Sequence, residues 1–432
     1  MRRATAWFLL VAVGLAPRGA AGQELTGFER QRGLNMLSMV RDDIAKHYYD
    51  TLYAGVDLAA VFDAAEAQIR KAGALEQVLA AIAQATTALN DSHTIFIPPG
   101  LVYKADYGWE VRFVGDTCRV REVVPGSDAD AKGLHVGDAV LTVQGIPLRR
   151  ANLWQLRYLL HALRPLAATR LLVQSPGGET RQLDLASRVV ERRSIVDPRS
   201  SVDVWDLIRD ADRGREEAAV RWLDLGGRVL VFRLPRFYAD DDWVDRFAKE
   251  TKGHEAAIID LRGNGGGAVD ALARFLGVFF ESDLAVARVV ERRKQEDLRV
   301  KGRGAGRFAG KILVLVDAES ASASELFART MQLTGRGTVL GDRTAGAVRV
   351  SRLYSHLSGT QTGAFYGASV TVGDVIMPDG GVLEGVGVAP DELILPTGGQ
   401  LAQRADPVMA RALDLAGVPR TAEQAGRLPW VP

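Results

Sequence analysis

The chain has 432 residues, 47% of them hydrophobic and 25% charged, an ordinary soluble globular composition on a length that suggests about two to four domains. A formal net charge of +1 gives no electrostatic ground for expecting nucleic acid or an anionic membrane as a partner. The single cysteine, Cys118, excludes an intrachain disulfide and a cysteine-based metal cluster; set among Thr117, Arg119 and Val120 in an alternating run, it reads as a small core or half-buried strand residue.

In chain order, Arg2 and Arg3 precede the apolar run Trp7–Leu15, and the small residues Gly19-Ala-Ala-Gly22 follow. This pattern predicts a secretory signal peptide over 1–22, since the run is too short to span a bilayer. No cysteine closes the run, so a lipid anchor is not indicated. From Leu25 to Ala88 apolar positions recur at helical spacing, as in Leu37-Ser-Met-Val-Arg-Asp-Asp-Ile44 and Val78–Ala83. The turn Asn90-Asp91-Ser92-His93, the short strand Thr94–Ile97 and the stop Pro98-Pro99-Gly100 end this region at about residue 104.

A second unit is predicted over 105–190. It carries the strands Trp109–Phe113, Cys118–Val124, Ala139–Val143 and Thr169–Val173, with an amphipathic helix near 153–163. Between its strands runs Pro125-Gly126-Ser127, then Gly133-Leu134-His135-Val136-Gly137-Asp138. A charged, looped stretch from Arg188 to Arg221 leads into a third region, 191–432. There the strands Val229–Arg233, Ala257–Asp260, Ile312–Val316 and Thr338–Leu340 alternate with helices near 268–280 and 324–333. This rhythm predicts a mostly parallel sheet with helices packed on it. A last helix is expected over Pro407–Leu415.

Two segments of the third region have chemical character. In Val316-Asp-Ala-Glu-Ser320-Ala-Ser322-Ala-Ser324-Glu325 a buried strand runs into small residues and then a helix that Ser324 could cap. A serine at such a turn exposes its hydroxyl beside the N–H groups and positive dipole end of the helix. On chemistry alone, a capped helix in a Ser/Ala-rich turn explains the run equally well. In Asp260-Leu-Arg262-Gly-Asn264-Gly265-Gly266-Gly267 three glycines after a strand permit close backbone approach and N–H groups turned toward a ligand. The run lacks the Gly-Lys-Ser/Thr ending of a phosphate loop and the spacing of a dinucleotide fingerprint. The six histidines show no metal-ligand spacing, so no metal is assigned.

These motifs together resemble the carboxy-terminal processing (tail-specific) serine proteases. The second unit, through Pro125–Ser127, Gly133-Leu134 and Gly137-Asp138, resembles a PDZ domain, a fold that binds extended peptide ends at a sheet edge. The resemblance implies an α/β, ClpP/crotonase-like catalytic domain with an inserted β-rich PDZ-like domain and an N-terminal helical portion. It further implies Ser322 as nucleophile, the N–H groups of Gly266 and Ala323 as oxyanion donors, Gly133 and Leu134 as peptide-binding residues, and no cofactor. The chain departs from the commonest family pattern in Gly341-Asp342-Arg343-Thr344-Ala345-Gly346-Ala347, where Ala347 stands in place of the catalytic lysine. Arg349 cannot replace it, because a guanidinium stays protonated.

The sequence is closer to the tricorn-core-like branch, which uses a Ser-His pair before the PDZ domain and a late glutamate. Ser92-His93 and Glu384, in Glu384-Gly-Val-Gly387-Val-Ala-Pro390-Asp391, match those elements. His93 would then serve as base, with Glu384, directly or through the Ser92 hydroxyl, fixing its tautomer. The expected function is an exported (periplasmic or extracellular) endopeptidase acting on unfolded or tail-presenting proteins. The alternatives are an inactive relative that binds peptides and a serine hydrolase of non-peptide esters or amides.

Overall fold

The computed structural model describes residues 25–99, 103–163, 166–191, 219–240, 242–358 and 364–429. The predicted signal peptide and most of the charged stretch between 188 and 221 lie outside the described residues.

Three helices open the fold: α1 (Gly27–His47), α2 (Leu58–Lys71) and α3 (Leu75–Thr87). Thr26 and Glu29 start α1 with a reciprocal capping box, in which Glu29 accepts the Thr26 N–H at 2.9 Å. Its residues Met36, Leu37, Val40 and Ile44 form one apolar stripe. The stripe packs with Phe62, Ile69, Val78 and Ile82 against the short strand β1 (Ile95–Ile97). The chain then enters a separate unit. Its strands are β2 (Tyr103–Asp106), β3 (Trp109–Val114), β4 (Thr117–Val123), β5 (Ala139–Val143), β6 (Ile146–Pro147), β7 (Ala168–Gln174), β8 (Thr180–Ala186) and β9 (Arg188–Glu191). Helix α4 (Leu153–Tyr158) lies between β6 and β7 and runs on into a turn of π-helix.

The antiparallel pairing of β2 with β9 brings the entering and leaving chain together, which makes the unit an insertion. Its sheet, β3-β4-β5-β7-β8 with β6 on β5, encloses a core of its own built on Val120, Val143, Leu171, Val173 and Leu185. Cys118 is buried there, and burial pushes its thiol up to about 12, far from a nucleophile's range.

The remainder builds two sheets. Strands β10 (Arg221–Leu225), β11 (Val229–Arg233) and β12 (Ala256–Asp260) are followed by β13 (Leu284–Glu291), β14 (Gln295–Val300), β15 (Lys311–Val316) and β16 (Thr338–Gly341). Last come β17 (Val350–Ser358), β18 (Ala364–Ile376) and β19 (Glu392–Leu393). Interleaved are helices α5 (Asp242–Glu250), α6 (Val269–Gly277), α7 (Ala323–Leu333) and α8 (Pro407–Leu415). The first sheet runs β10-β11-β12-β15-β16-β19 and is parallel except for its first pair. All five residues of β12 are buried, as a parallel strand covered on both faces requires. One face meets an aromatic cluster of Phe232, Trp243, Phe247, Phe275 and Phe327; the other meets Val408, Met409 and Leu413 of α8.

The second sheet, β1-β18-β13-β14 with β17 on β18, is antiparallel. The strand pattern in sequence did not show its last four members. It positions the site, because β1 pairs with β18 (Ile95 opposite Ser369) across the whole inserted unit. Thr94 and Thr371 clasp the junction through their hydroxyls at 3.1 Å and the Thr371 N–H at 3.0 Å.

The insertion is bolted to the parallel-sheet part by charge. Arg150 holds the Gly115 and Arg343 carbonyls at 2.7 and 2.9 Å and Asp342 at 2.5 Å. Arg157 holds Glu319, three residues before Ser322, at 2.5 Å.

Candidate active site

Asp317 follows β15 and organises the turn after it. Its Oδ1 accepts the N–H groups of Gly263, Glu319 and Ser320 at 2.8, 3.0 and 3.1 Å. The Asn264 carbonyl takes the Ala321 N–H and the Ser324 hydroxyl, both at 2.9 Å. The serine turn and the glycine loop are therefore sewn into one surface. Ser322, not Ser324, is the N-cap of α7; Ser324 lies inside the first turn, fully buried, its hydroxyl spent on Asn264. Ser322 has φ 55° and ψ −117°, a region that L-residues adopt only when their surroundings enforce it. The enforcing contacts are those of its N–H, which donates to the Ala347 carbonyl at 2.9 Å and to Glu325 Oε2 at 3.1 Å. Ala323 begins the helix, where N–H groups lack intrahelical partners.

Gly266 packs directly on Ser322. At φ 104° a Cβ there would stand 2.7 Å from Ser322 Cβ and 3.1 Å from its Oγ, so only glycine fits. Its N–H, expected as an oxyanion donor, donates instead to Asn264 Oδ1 at 2.8 Å. In this structure Gly266 supplies close approach, and its N–H closes a turn within the loop.

The base candidates meet on the other side. Asp91 Oδ1 accepts the His93 N–H at 2.9 Å and fixes the turn. The Ser92 hydroxyl is 3.0 Å from His93 Nδ1 and donates to Glu384 Oε1 at 3.4 Å, joining residues 292 apart in the chain. If that hydroxyl donates to Glu384, it accepts from Nδ1–H, which leaves Nε2 with its lone pair. Glu384 Oε2 accepts the Val348 N–H at 2.8 Å. Burial pushes the Glu384 carboxyl above its ordinary range, while His93, the Val348 N–H and Arg349 pull it back.

One peptide group thus links the two halves. The Ala347 carbonyl holds Ser322, and the adjoining Val348 N–H holds Glu384. Ser322 and His93 make no direct hydrogen bond.

Two features escaped the sequence reading. The Arg349 guanidinium lies 3.0 Å from the fully buried Asp91 and stacks over Tyr49 at 5.2 Å. It is no base, and it supplies the positive charge facing Asp91. The ligand atoms of Asp91, His93 and Glu384 lie within 4.8 Å of one another, a grouping that chain spacing does not reveal. With Arg349 against Asp91 and Ser92 against the imidazole, the cluster reads as a base with its partners. The second feature is Glu325, whose buried carboxylate takes donors from the 344–347 segment.

The expected peptide-binding residues behave otherwise. The Leu134 side chain is 1% exposed, in the core of the inserted unit, so it forms no groove wall. Its N–H goes to Ala129, and the Gly133 carbonyl accepts Arg181 at 3.0 Å. The motif builds a turn, with Gly133 at φ 73°.

Residues 228–394 match the family model of peptidase family S41. The segment contains the glycine loop, the Ser322 turn and Glu384. A tail-specific protease of Haemophilus influenzae is 24% identical over 326 residues, covering 70% of this chain and 43% of that protein. A carboxyl-terminal-processing protease of Picosynechococcus is 24% identical over 282 residues, covering 64% of this chain and 60% of that one. The chain therefore spans about half the length of these relatives. In fold it is similar to mature CPAF (TM-score 0.64, 17% identity, 87% of this chain and 95% of that one). It is also similar to the photosystem II D1 C-terminal processing protease (TM-score 0.51, 20% identity, 86% and 94%). Residues 228–394 are thus similar to peptidase family S41, and the relatives that match over more of the chain are named as tail-specific and carboxyl-terminal-processing proteases.

Proposed function

We propose that the chain is an exported endopeptidase that hydrolyses peptide bonds of unfolded or tail-presenting proteins through an acyl-enzyme on Ser322. The observation that supports it most is the continuous link from the strained Ser322 turn through the Ala347–Val348 peptide to Glu384, Ser92 and His93. On this reading His93 Nε2 takes the Ser322 proton as Oγ attacks the carbonyl carbon, and returns it to the leaving amine. Glu384, acting through the Ser92 hydroxyl, stabilises the imidazolium. The Ala323 N–H and the dipole of α7 receive the oxyanion. Gly266 joins them once its N–H turns from Asn264, and Ser322 and His93 close to hydrogen-bond distance on substrate binding, as apo sites commonly do.

The inserted PDZ-like unit would present the substrate, the predicted signal peptide would direct export, and no cofactor is needed. Among the described residues no helix is long and apolar enough to cross a membrane.

The engaged Gly266 N–H and the open Ser322–His93 contact favour a second reading, a non-catalytic peptide-binding protein. Turnover of an unfolded protein by the mature chain, beside simple esters and beside Ser322→Ala, separates the readings. Cleavage of the protein lost in Ser322→Ala supports the peptidase; peptide binding without turnover in both proteins supports the binder; turnover of esters alone supports neither.

A further inference from the structure

Glu325 is fully buried and lies three residues past Ser322. Its Oε1 accepts the Thr344 hydroxyl at 2.6 Å and the Gly346 N–H at 2.8 Å. Its Oε2 accepts the Ala347 N–H at 2.9 Å and the Ser322 N–H at 3.1 Å. Four donors fill the accepting capacity of one carboxylate. Three come from the segment that leads into Val348, which holds Glu384, and the fourth is the nucleophile's own backbone. A buried carboxylate with four donors and no cation is an expensive arrangement for mere packing.

We infer that Glu325 is a positioning residue that locks the Ser322 turn and the Thr344–Val348 segment in one register, so that the nucleophile and the Glu384–Ser92–His93 relay keep their mutual placement. The inference rests on the serine-peptidase reading. The groups on Glu325 itself are uncharged: the Thr344 hydroxyl, itself held by accepting the Val388 N–H at 2.6 Å, and the N–H groups of Gly346, Ala347 and Ser322. Titratable and charged groups flank the segment on either side: Asp342 with Arg150 at its start, and His93, Glu384, Asp91 and Arg349 across the Ala347–Val348 peptide.

Burial lifts the Glu325 carboxyl to about 7, against the pull of its four donors. Protonation turns one acceptor into an O–H donor facing N–H and O–H groups, which expels a partner from the clamp. The clamp therefore predicts an acid limb in nucleophile reactivity that belongs to Glu325.

The test is the rate of fluorophosphonate labelling of Ser322 in the full mature chain, resolved into maximal rate and probe affinity across about pH 5 to 9. Glu325→Gln, which makes the acceptor-to-donor change permanent, should lower the maximal rate about ten- to a hundredfold with probe affinity retained. Thr344→Val removes one donor that favours the carboxylate, so its acid limb should move to higher pH; Thr344→Ser, which keeps the hydroxyl, should restore it. Should Glu325→Gln fail to fold, the Thr344 pair decides alone. An unchanged rate and pH profile in the variants overturns the inference, and so does a lowered thermal midpoint with no movement of the limb. Wild-type protein that is not labelled at all overturns the peptidase reading, and the inference with it.

Discussion

Glu325 and Glu384 stand on opposite sides of the Ala347–Val348 segment, and burial pushes both carboxyls up. Their neighbours separate their roles. Glu325 meets only neutral donors, four of them, and no histidine. Glu384 takes a single backbone N–H on Oε2 and otherwise faces Ser92, His93 and the Arg349 charge. A carboxylate saturated by three backbone N–H groups and a hydroxyl sets geometry, while one that faces a hydroxyl and an imidazole can answer a proton transfer. The same residue type thus serves two ends, decided by what surrounds it.

The largest effect is expected at Glu384. Glu384→Gln should reduce turnover about a hundredfold or more, with the folded state little changed, because the imidazolium loses its counter-charge. Thermal melting beside the turnover assay checks this, and equal losses of stability and activity would make Glu384 a merely structural residue.

Arg349→Met should destabilise the chain by about 3 kcal/mol, read by denaturant unfolding, since it strands the fully buried Asp91. It should also raise the Glu384 carboxyl further, because Arg349 holds it down.

Glu325 makes stability depend on pH. The folded carboxyl of Glu325 lies at about 7 against an ordinary 4.5, so between those values the native state binds more protons than the unfolded chain. Stability then falls as pH rises through this window, by about 3 kcal/mol in all. Glu325→Gln should lack that slope, so the difference between the two proteins' unfolding free energies, measured at a series of pH values, should carry it. The smallest effect is expected where Arg150 ties the inserted unit to the 342–343 turn. Arg150→Ala cuts the Gly115–Asp342–Arg343 clasp and should lower stability by about 2 kcal/mol in the same unfolding experiment.

What could be read from sequence follows from the range of the interactions. The Ser322 turn, the glycine loop and the parallel strands β11, β12, β15 and β16 are local patterns, and they stand where the sequence suggested. Ser92, His93 and Glu384 were found only by resemblance, since their meeting depends on β1 pairing with β18 across the insertion. The Glu325 clamp was illegible because an acid in the first turn of a helix is explained by the dipole alone, while three of its donors lie about twenty residues on. The burial of Leu134 in the core of its unit could not be read from the Gly-Leu turn. The cap was misplaced by two residues because either serine satisfies the local rule, and only the Asn264 carbonyl chooses between them.

On the proposed function, Ser322 is a nucleophile activated by His93. Its most direct test is to react the purified mature chain with a fluorophosphonate, map the modified residue, and repeat the reaction with folded His93→Ala. A label on Ser322 that is lost in His93→Ala is the expected result. A label on Ser322 that survives in His93→Ala would contradict it and require another base.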